Sequence, residues 1–347
     1  MSTVVVHDGA IHPGGAVKVV LEACHALEAD LVVGVSGMDQ DWWESRAPNG
    51  VRLLSRKSKM GTIQDIRNAY RMLNLSLKEY EYIITSGPAT KFFQPYDQQT
   101  HIHYLHHPPL SKLWFDGGLF EYAKSIIDRI ETLSIPVVVA NSQLTADRYW
   151  KHYARSADYV INPPVETESF SWNSEHIPGK FVMVGRLEER KRPLLAVKAF
   201  AELADRDDLA KIPELHLVGD GPLADEAQVK ATSNIYVHGY VRDEKLRQIV
   251  ESSDAGVFLA ESEDFGITPI EYMSAGLPVL GVDEPNTNNQ IKQGVSGLLV
   301  APEKEAVGDG VLEIMEREWN RKEISKGADE YSSARFRKEI REVVEHV

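Results

Sequence analysis

Two carboxylates flank a predicted corner between a strand and a helix. Glu263 lies in the loop after an apolar run, Ala255 to Ala260, and Glu271 lies in the first turn of the helix that follows this loop. An apolar run of this length, bounded by turn residues, indicates a buried strand. Because carboxylate oxygens accept hydrogen bonds from hydroxyl groups, the pair is suited to holding ribose or a hexose.

The start of the same helix offers the opposite chemistry. Gly266 ends the loop, Thr268 is a candidate N-cap, and Pro269 is placed where the first helical residue belongs. Backbone amides without an intrahelical partner, here those of Gly266, Ile267 and Thr268, favour a phosphate group. Phosphate donors beside hydroxyl acceptors predict a nucleotide-sugar pocket. The alternative is an ordinary corner with two solvated acids.

A basic pair follows an earlier strand, which is predicted from Phe181 to Val184. Arg186 and Lys191 are five positions apart in the loop between this strand and a helix that runs to Ala204. Arginine supplies a planar fork of donors and lysine a point charge, so the two can converge on a diphosphate. A solvated charged loop is the alternative.

Four histidines cluster on a further predicted strand and its loop: His101, His103, His106 and His107. Strand alternation places His106 on the side opposite to the other three. Four imidazoles suggest zinc, but no cysteine or Glu-x-x-His pair accompanies them. We therefore favour a role without metal.

A basic island stands out in this acidic chain. Arg56-Lys57-Ser58-Lys59 precede a predicted helix that carries Arg67 and Arg71 on one face. A solvated surface and a contact with anionic lipid or a phosphorylated acceptor both explain it. An apolar cluster further on is either core or the lining of an acceptor or lipid-facing groove: Trp114, Phe115, Leu119, Phe120 and Tyr122.

Strands and helices alternate through both halves of the chain. This order predicts parallel sheets covered by helices on both faces. Asn162-Pro163-Pro164 breaks the pattern, and the polar stretch up to Gly179 indicates a linker. In the first half, Gly14 and Gly15 precede the first helix, where they let a ligand approach the backbone or simply form a tight turn.

Composition narrows the class of protein. The chain has 347 residues, which favours two domains, and 43% hydrophobic and 26% charged residues, as in globular proteins. A net charge of −14 disfavours nucleic acid as a partner. The single cysteine, Cys24, is predicted to be a core thiol and fits a reducing, cytoplasmic compartment. No apolar run approaches the roughly 20 residues of a membrane span, so any membrane contact is expected to be peripheral, at the cytoplasmic face.

The segment from Glu261 to Gly281 resembles the Glu-x7-Glu signature of family 4 glycosyltransferases of the GT-B fold. The likeness rests on Glu263 and Glu271 with seven residues between them, on Phe265-Gly266, and on Ala275-Gly276-Leu277-Pro278-Val279. The resemblance implies that Glu271 holds the ribose, that Glu263 holds the donor sugar, and that residues from Phe265 to Thr268 contact the donor.

Other segments extend the resemblance. Gly185-Arg186-Leu187 with Lys191 matches the family's Gly-Arg-Leu…Lys motif, and Tyr104 to Pro108 resembles the Tyr-x-His-x-Pro loop of mannosyltransferase-like members. By that pattern His106 contacts the sugar or the acceptor. The remaining donor contacts implied are Gly14, Gly15, Gly219, Tyr240 and Val241. The chain departs from the family at Asn288, Asn289 and Gln290, where a glutamate often leads the short helix, so no sugar contact is predicted there.

The resemblance implies an α/β fold with two Rossmann-like, doubly wound parallel-sheet domains facing a cleft. The acceptor-binding domain is expected at 1–165, with a helix at about 331–347 crossing back to it, and the donor-binding domain at 166–330. The implied reaction moves a hexosyl group from a GDP- or UDP-linked donor to a hydroxyl of a glycan or lipid-linked saccharide, with retention and without metal or another cofactor.

Two alternatives stay open at this point, a nucleotide-sugar epimerase of related fold and an inactive partner subunit. The absence of Gly-x-Gly-x-x-Gly after the first strand counts against an NAD oxidoreductase.

Overall fold

The computed structural model describes residues 2–56, 62–107, 128–170, 172 and 176–347, with the backbone alone for 62–65. The chain forms two compact units. Unit 1 comprises Met1–Pro164 together with Ser333–Val347, and unit 2 comprises Val165–Ser332. Each unit is built around one sheet.

Unit 1 contains a parallel sheet in the order β3-β2-β1-β4-β5-β6-β7. The order reverses between β1 and β4, as in a doubly wound fold. The strands of the described residues are β1 Thr3–Ala10, β2 Asp30–Ser36, β3 Val51–Leu53, β4 Tyr82–Ser86, β5 Thr100–Leu105, β6 Val137–Ala140 and β7 Tyr159–Val160.

Helices cover both faces of this sheet. The helices with described bounds are α1 Gly15–Leu27, α2 Gln40–Glu44, α3 Thr62–Leu73, α4 Gln143–Tyr153 and α12 Ser333–His346, and residues 128–134 are also helical. Helix α12 packs beside α1, and its buried Phe336 and Ile340 share a core with Val5, Val20 and the thiol-bearing Cys24. A second core, on the opposite face, includes buried Met72 of α3. Ser142 caps α4 by accepting a hydrogen bond from the Thr145 amide at 3.1 Å, as is usual for a serine just before a helix.

Unit 2 contains a second parallel sheet, in the order β10-β9-β8-β11-β12-β13. The order reverses between β8 and β11. The described strands are β8 Lys180–Val184, β9 Glu214–Val218, β10 Ile235–Val237, β11 Ala255–Phe258, β12 Val279–Val282 and β13 Gly297–Val300.

The helices of unit 2 follow its strands in alternation. They are α5 Pro193–Ala204, α6 Ala224–Lys230, α7 Asp243–Glu251, α8 Thr268–Ser274, α9 Thr287–Gln290, α10 Lys304–Glu316 and α11 Arg321–Ala328. Phe181 and Leu215 pack under α5 and α10, whereas Val182, the residue after Phe181, faces the core that contains α8 and α11. This alternation is the period of two that a sheet covered on both faces requires.

The predicted fold class, two doubly wound parallel sheets, is confirmed. Among the residues that the structure describes, no helix combines the length and apolarity needed to cross a bilayer. Several predictions fall outside the described residues: the structure of the basic run Lys57-Ser58-Lys59, the apolar cluster from Trp114 to Tyr122, and most of the helix predicted from Leu119 to Leu133.

Candidate active site

The predicted site residues of unit 2 lie at the carboxyl ends of its strands. The loop after β8 carries Arg186 and Lys191, and the loop after the adjacent strand β11 carries Glu263. The strand order reverses between these two strands, and doubly wound sheets bind ligands at such a point. Arg186 and Lys191 line one small pocket there together with Phe258.

Lys191 and Glu263 are in direct contact. Lys191 Nζ donates to Glu263 Oε2 at 2.6 Å, and about a fifth of each side chain is exposed. Arg190 approaches the same carboxylate at 3.7 Å, and Lys191 Nζ lies 5.6 Å from the centre of the Phe258 ring. The structure thus joins the predicted diphosphate-binding lysine to the predicted sugar-binding glutamate, in a half-buried setting where charge pairs are only partly screened.

Arg186 is held more loosely. Its side chain is 69% exposed, and its Nε lies 3.5 Å from Glu188 Oε2. A pair this exposed stabilises the fold by well under 1 kcal/mol. The guanidinium is therefore able to turn toward an anion at little cost.

Gly219 allows two backbone segments of the site to approach each other closely. A Cβ atom at Gly219 would lie 1.9 Å from the carbonyl oxygen of Gly185, and its φ is +132°. Its amide donates to the Gly239 carbonyl at 2.9 Å, and the Gly185 amide donates to Val218 at 3.0 Å. Only glycine fits this contact between the ends of neighbouring strands.

The two predicted base-reading residues follow β10. Tyr240 is 80% exposed, and the half-buried Val241 packs against the core beneath α7 and α8. An exposed aromatic ring beside the ends of β8 and β9 is available to a planar group.

Helix α8 begins one residue earlier than predicted. Thr268 is its first residue rather than its cap, and Ile267 occupies the cap position without a side-chain hydrogen bond. Thr268 is therefore not an N-cap, since the turn is already formed at Ile267, which has helical φ and ψ. Glu271 remains in the first turn as predicted and is half-buried. Tyr272, on the next position, accepts a hydrogen bond from the Val184 amide at 2.7 Å and ties α8 to the end of β8.

A group of polar residues that was not predicted from the sequence supports the loop that carries Glu263. Arg192, in a left-handed conformation with φ of +53°, pairs with Glu284 at 2.7 Å. Glu284 also accepts the Ser262 amide at 2.9 Å. Asn286 and Gln290 donate to the Phe265 carbonyl. The signal in the sequence was the polar run after β12, which the resemblance marked only as a departure.

The histidines of unit 1 divide between the faces of its sheet. His106, just after β5, lies 2.8 Å from Ser86 Oγ, and His7 Nδ1 lies 3.1 Å from the Ser86 carbonyl. A carbonyl only accepts, so His7 Nδ1 carries the proton. The unprotonated Nε2 of His7 is buried and has no partner among the described residues. Burial lowers the pKa of His7 and lowers that of His106 to about 3. Both rings are neutral at pH 7.

His101 and His103 face the other way and share one hydroxyl. Thr85 Oγ1 lies 2.8 Å from His101 Nε2 and 2.9 Å from His103 Nδ1. Burial lowers the pKa of His101 to about 4, and it also lowers the pKa of His103 well below its ordinary value. Within the described ranges, no group of three or more acidic, histidine or cysteine side chains is arranged as metal ligands.

Gly14 and Gly15 lie at the start of α1 on the surface of unit 1. Gly14 is the extended N-cap residue, and a Cβ atom there would meet nothing within 4 Å. The local space therefore does not demand glycine at this position, and its predicted donor contact stays a prediction.

Comparison with known proteins identifies the architecture. A family model described as glycosyl transferases group 1 matches residues 164–331. A crystal structure of Anabaena Alr3699/HepE in complex with UDP and glucose superposes with a TM-score of 0.77, at 14% identity and with both chains covered in full. The fold is that of the GT-B glycosyltransferases.

Curated relatives match part of the chain. A D-inositol 3-phosphate glycosyltransferase of Nocardia farcinica is 29% identical over 134 residues, which are 35% of this chain and 30% of the relative. An alpha-1,3/1,6-mannosyltransferase, ALG2 of Rhizomucor pusillus, is 18% identical over 282 residues, covering 67% of this chain and 62% of the relative. The chain spans between 30% and 41% of the first three such relatives.

Within the GT-B fold, the matched segment 164–331 contains every loop that carries the site of unit 2. It includes the Lys191–Glu263 contact, the glycine contact at Gly219 and the start of α8 at Thr268.

Proposed function

We propose that the chain transfers a hexosyl group from a UDP- or GDP-linked donor to an acceptor hydroxyl, with retention of the anomeric configuration. The observation that carries this proposal is the 2.6 Å contact between Lys191 and Glu263. In this proposal Lys191 is the cation that binds the diphosphate, and Glu263 beside it accepts hydrogen bonds from sugar hydroxyls. Both lie at the point of the sheet where doubly wound folds bind ligands. The family match over unit 2, and the UDP and glucose bound to the Anabaena protein, support the proposal.

The residues divide the chemistry between them. As the bond from the anomeric carbon to the diphosphate breaks, negative charge grows on the leaving oxygens. Lys191, the mobile Arg186 and the amides of the Phe265–Thr268 loop then stabilise that charge without the need for a metal. Glu263 faces the sugar, whose anomeric carbon becomes cationic, and Glu271 holds the ribose. Gly219, Tyr240 and Val241 border the base.

Unit 1 takes the acceptor in this proposal. Half-buried His106, paired with the buried Ser86 hydroxyl, lies at the carboxyl end of its sheet, near the point where the strand order reverses between β1 and β4. Because burial keeps His106 neutral, this side chain offers hydrogen bonds to hydroxyls rather than charge. A glycan or a lipid-linked saccharide fits such a surface.

We also propose that unit 1 contacts an anionic membrane surface through α3. Ile66, Tyr70 and Leu73 are 59%, 67% and 50% exposed and lie one turn apart on one side of the helix. Arg67 is exposed next to this stripe, in a chain of net charge −14. An exposed apolar stripe flanked by basic residues is the pattern of helices that lie in a membrane interface. In this proposal the protein binds peripherally to the cytoplasmic face of a membrane.

The experiment that tests the transferase is a donor panel. UDP-glucose, UDP-galactose, UDP-N-acetylglucosamine and GDP-mannose, each labelled in the sugar, are incubated with the protein with and without oligosaccharide or lipid-linked acceptors. We expect one donor to raise the melting temperature and to transfer label, and Lys191→Met to abolish both effects while Lys198→Met, on the exposed face of α5, preserves them. Labelled donor converted to its epimer without transfer would contradict the proposal, and loss of activity in EDTA would contradict its metal-free form.

A further inference from the structure

Two buried amide side chains grip the loop that follows Glu263. Gln290 Nε2 donates to the carbonyl oxygens of Phe265 at 2.7 Å and of Gly266 at 3.1 Å, and Asn286 Nδ2 donates to the Phe265 carbonyl as well. Asn286 and Gln290 are 5% and 3% exposed. Because a carbonyl can only accept, the NH₂ groups of both side chains must face the loop.

These contacts fix the direction of two backbone amides. In a trans peptide unit the C=O and the following N–H point in opposite directions. Holding the Phe265 carbonyl therefore turns the Gly266 amide away from Gln290, and holding the Gly266 carbonyl does the same for the Ile267 amide. Within the described part of the chain, neither amide donates to a backbone or side-chain acceptor.

The near end of the loop is held by the same segment of the chain. Glu284 accepts the Ser262 amide at 2.9 Å and pairs with Arg192 at 2.7 Å, and Arg192 donates to the Leu259 carbonyl at 3.2 Å. Ser262 has a φ of +52°, a conformation that needs such support. The short segment from Glu284 to Gln290 thus braces both ends of the loop that carries Glu263.

The hydrogen-bonding needs of the Gln290 side chain do not explain why it lies against the loop. Its Oε1 atom is buried and has no partner among the described residues. A buried acceptor without a donor is unfavourable. The side chain leaves its Oε1 atom without a donor while its NH₂ group donates to two carbonyls. This indicates that the site requires the orientation of the loop.

We propose that Asn286 and Gln290 are positioning residues that aim the amides of Gly266 and Ile267 at the diphosphate of the donor. The inference rests on the proposed nucleotide-sugar function and adds to it the part that recognises the diphosphate rather than the nucleoside. It also gives a role to the segment where the chain departs from the family pattern, because side-chain amides of this segment hold the carbonyl groups of the loop.

Calorimetry with UDP and with uridine, and with GDP and guanosine as a second pair, tests this. In Gln290→Met, which keeps the length of the side chain but has no donor, we expect nucleoside diphosphate affinity to fall about tenfold while nucleoside affinity stays within about twofold. Gln290→Glu should lose diphosphate affinity at about pH 8 and regain part of it at about pH 6, as its buried carboxyl takes up a proton and can donate again. Asn289→Asp, an exposed amide-to-carboxylate change in the same helix, is the matched control and should show neither effect.

Thermal unfolding of each variant shows whether it folds. If the Gln290 variants do not fold, the same affinity measurements on Asn286→Asp test the inference. An unchanged ratio of diphosphate to nucleoside affinity in a folded variant overturns the inference. So does an equal loss for both ligands, which would indicate a collapsed loop. If the wild-type protein binds neither UDP nor GDP, the proposed function itself fails and the inference fails with it.

Discussion

At the scale of single residues, Glu263 and Glu271 have different surroundings. Glu263 is paired with Lys191 in the loop, whereas Glu271 lies in the first turn of α8. We expect Glu271→Gln to weaken binding of the free nucleotide and raise the donor KM, because ribose contacts do not change during the reaction. We expect Glu263→Gln to lower kcat about 10- to 100-fold with nucleotide affinity nearly intact, because its contacts tighten as the sugar becomes cationic.

Calorimetry with UDP or GDP, beside steady-state kinetics with the full donor, separates the two glutamates. The reverse pattern would exchange their roles. Unchanged behaviour in both variants would reduce the corner to a structural feature.

The loop that carries each candidate residue was predictable where a sequence motif marks it. Arg186 and Lys191 were predicted in one strand-to-helix loop and Glu263 in another, and the structure brings Lys191 and Glu263 into contact. Asn286 and Gln290 were not foreseen as supports, because their partner is a backbone carbonyl, which no residue type reveals. The cap at Thr268 was misplaced by one residue because the φ and ψ of Ile267 decide where the helix begins.

At the scale of elements, two glycines of unit 2 should respond to alanine in opposite directions. Gly219→Ala drives a Cβ atom to 1.9 Å from the Gly185 carbonyl at a φ of +132°, so we expect it to lower the free energy of unfolding by about 2 kcal/mol or more. Gly308→Ala, within helix α10 and with nothing within 4 Å of its Cβ, should raise it by about 0.5–1 kcal/mol. Urea unfolding of both variants measures this, and an unchanged midpoint for Gly219→Ala would refute the tight contact.

We expect the protein to bind anionic membranes through helix α3. We expect co-sedimentation with vesicles that contain phosphatidylglycerol and not with pure phosphatidylcholine, because binding combines apolar insertion with attraction to anionic lipid. Ile66→Ser with Tyr70→Ser should weaken that binding at least tenfold, and Arg67→Glu should weaken it in a salt-dependent manner. Val229→Ser, which removes a side chain 84% exposed on α6 of unit 2, is the control. Equal binding by all variants would exclude α3 as the docking surface.

Strand positions were predictable to within three residues at each end, because apolar runs bounded by glycine, proline and asparagine mark buried parallel strands. The apolar run from Val279 to Val282 predicts a strand with these bounds, and β12 has them. The sequence predicts a first strand from Thr3 to His7, because Asp8 and Gly9 are typical turn residues, whereas β1 continues to Ala10. Pairing with β2 extends through Gly9 and Ala10. The local sequence does not reveal this extension, because the partner residues lie on another strand.

At the scale of the whole molecule, buried imidazoles should make the fold sensitive to mild acid. Burial lowers the pKa values of His7, His101, His103 and His106 below the ordinary 6.5. Below that value the unfolded chain therefore binds more protons than the folded one, and stability falls as pH falls. Each imidazole lowers the free energy of unfolding by at most about 1.4 kcal/mol per pH unit in that window.

Urea unfolding at about pH 7.5 and about pH 5.5 measures this dependence. We expect His103→Gln to flatten it and His12→Gln, at an exposed loop position, to leave it unchanged. Equal slopes in both variants would show that the buried imidazoles are not responsible.

Unit 1 is assembled from two distant parts of the chain, and this sets an order of events during synthesis. Helix α12 supplies Phe336, Ile340, Val343 and Val344 to the core that α1 and the first sheet begin. The ribosome makes all of unit 2 between these parts, which takes on the order of ten to thirty seconds at the usual rates. During that interval unit 2 can fold as a contiguous segment, while unit 1 waits with an apolar face uncovered. The nascent chain should therefore depend on chaperones in its first half, even though that half is translated first.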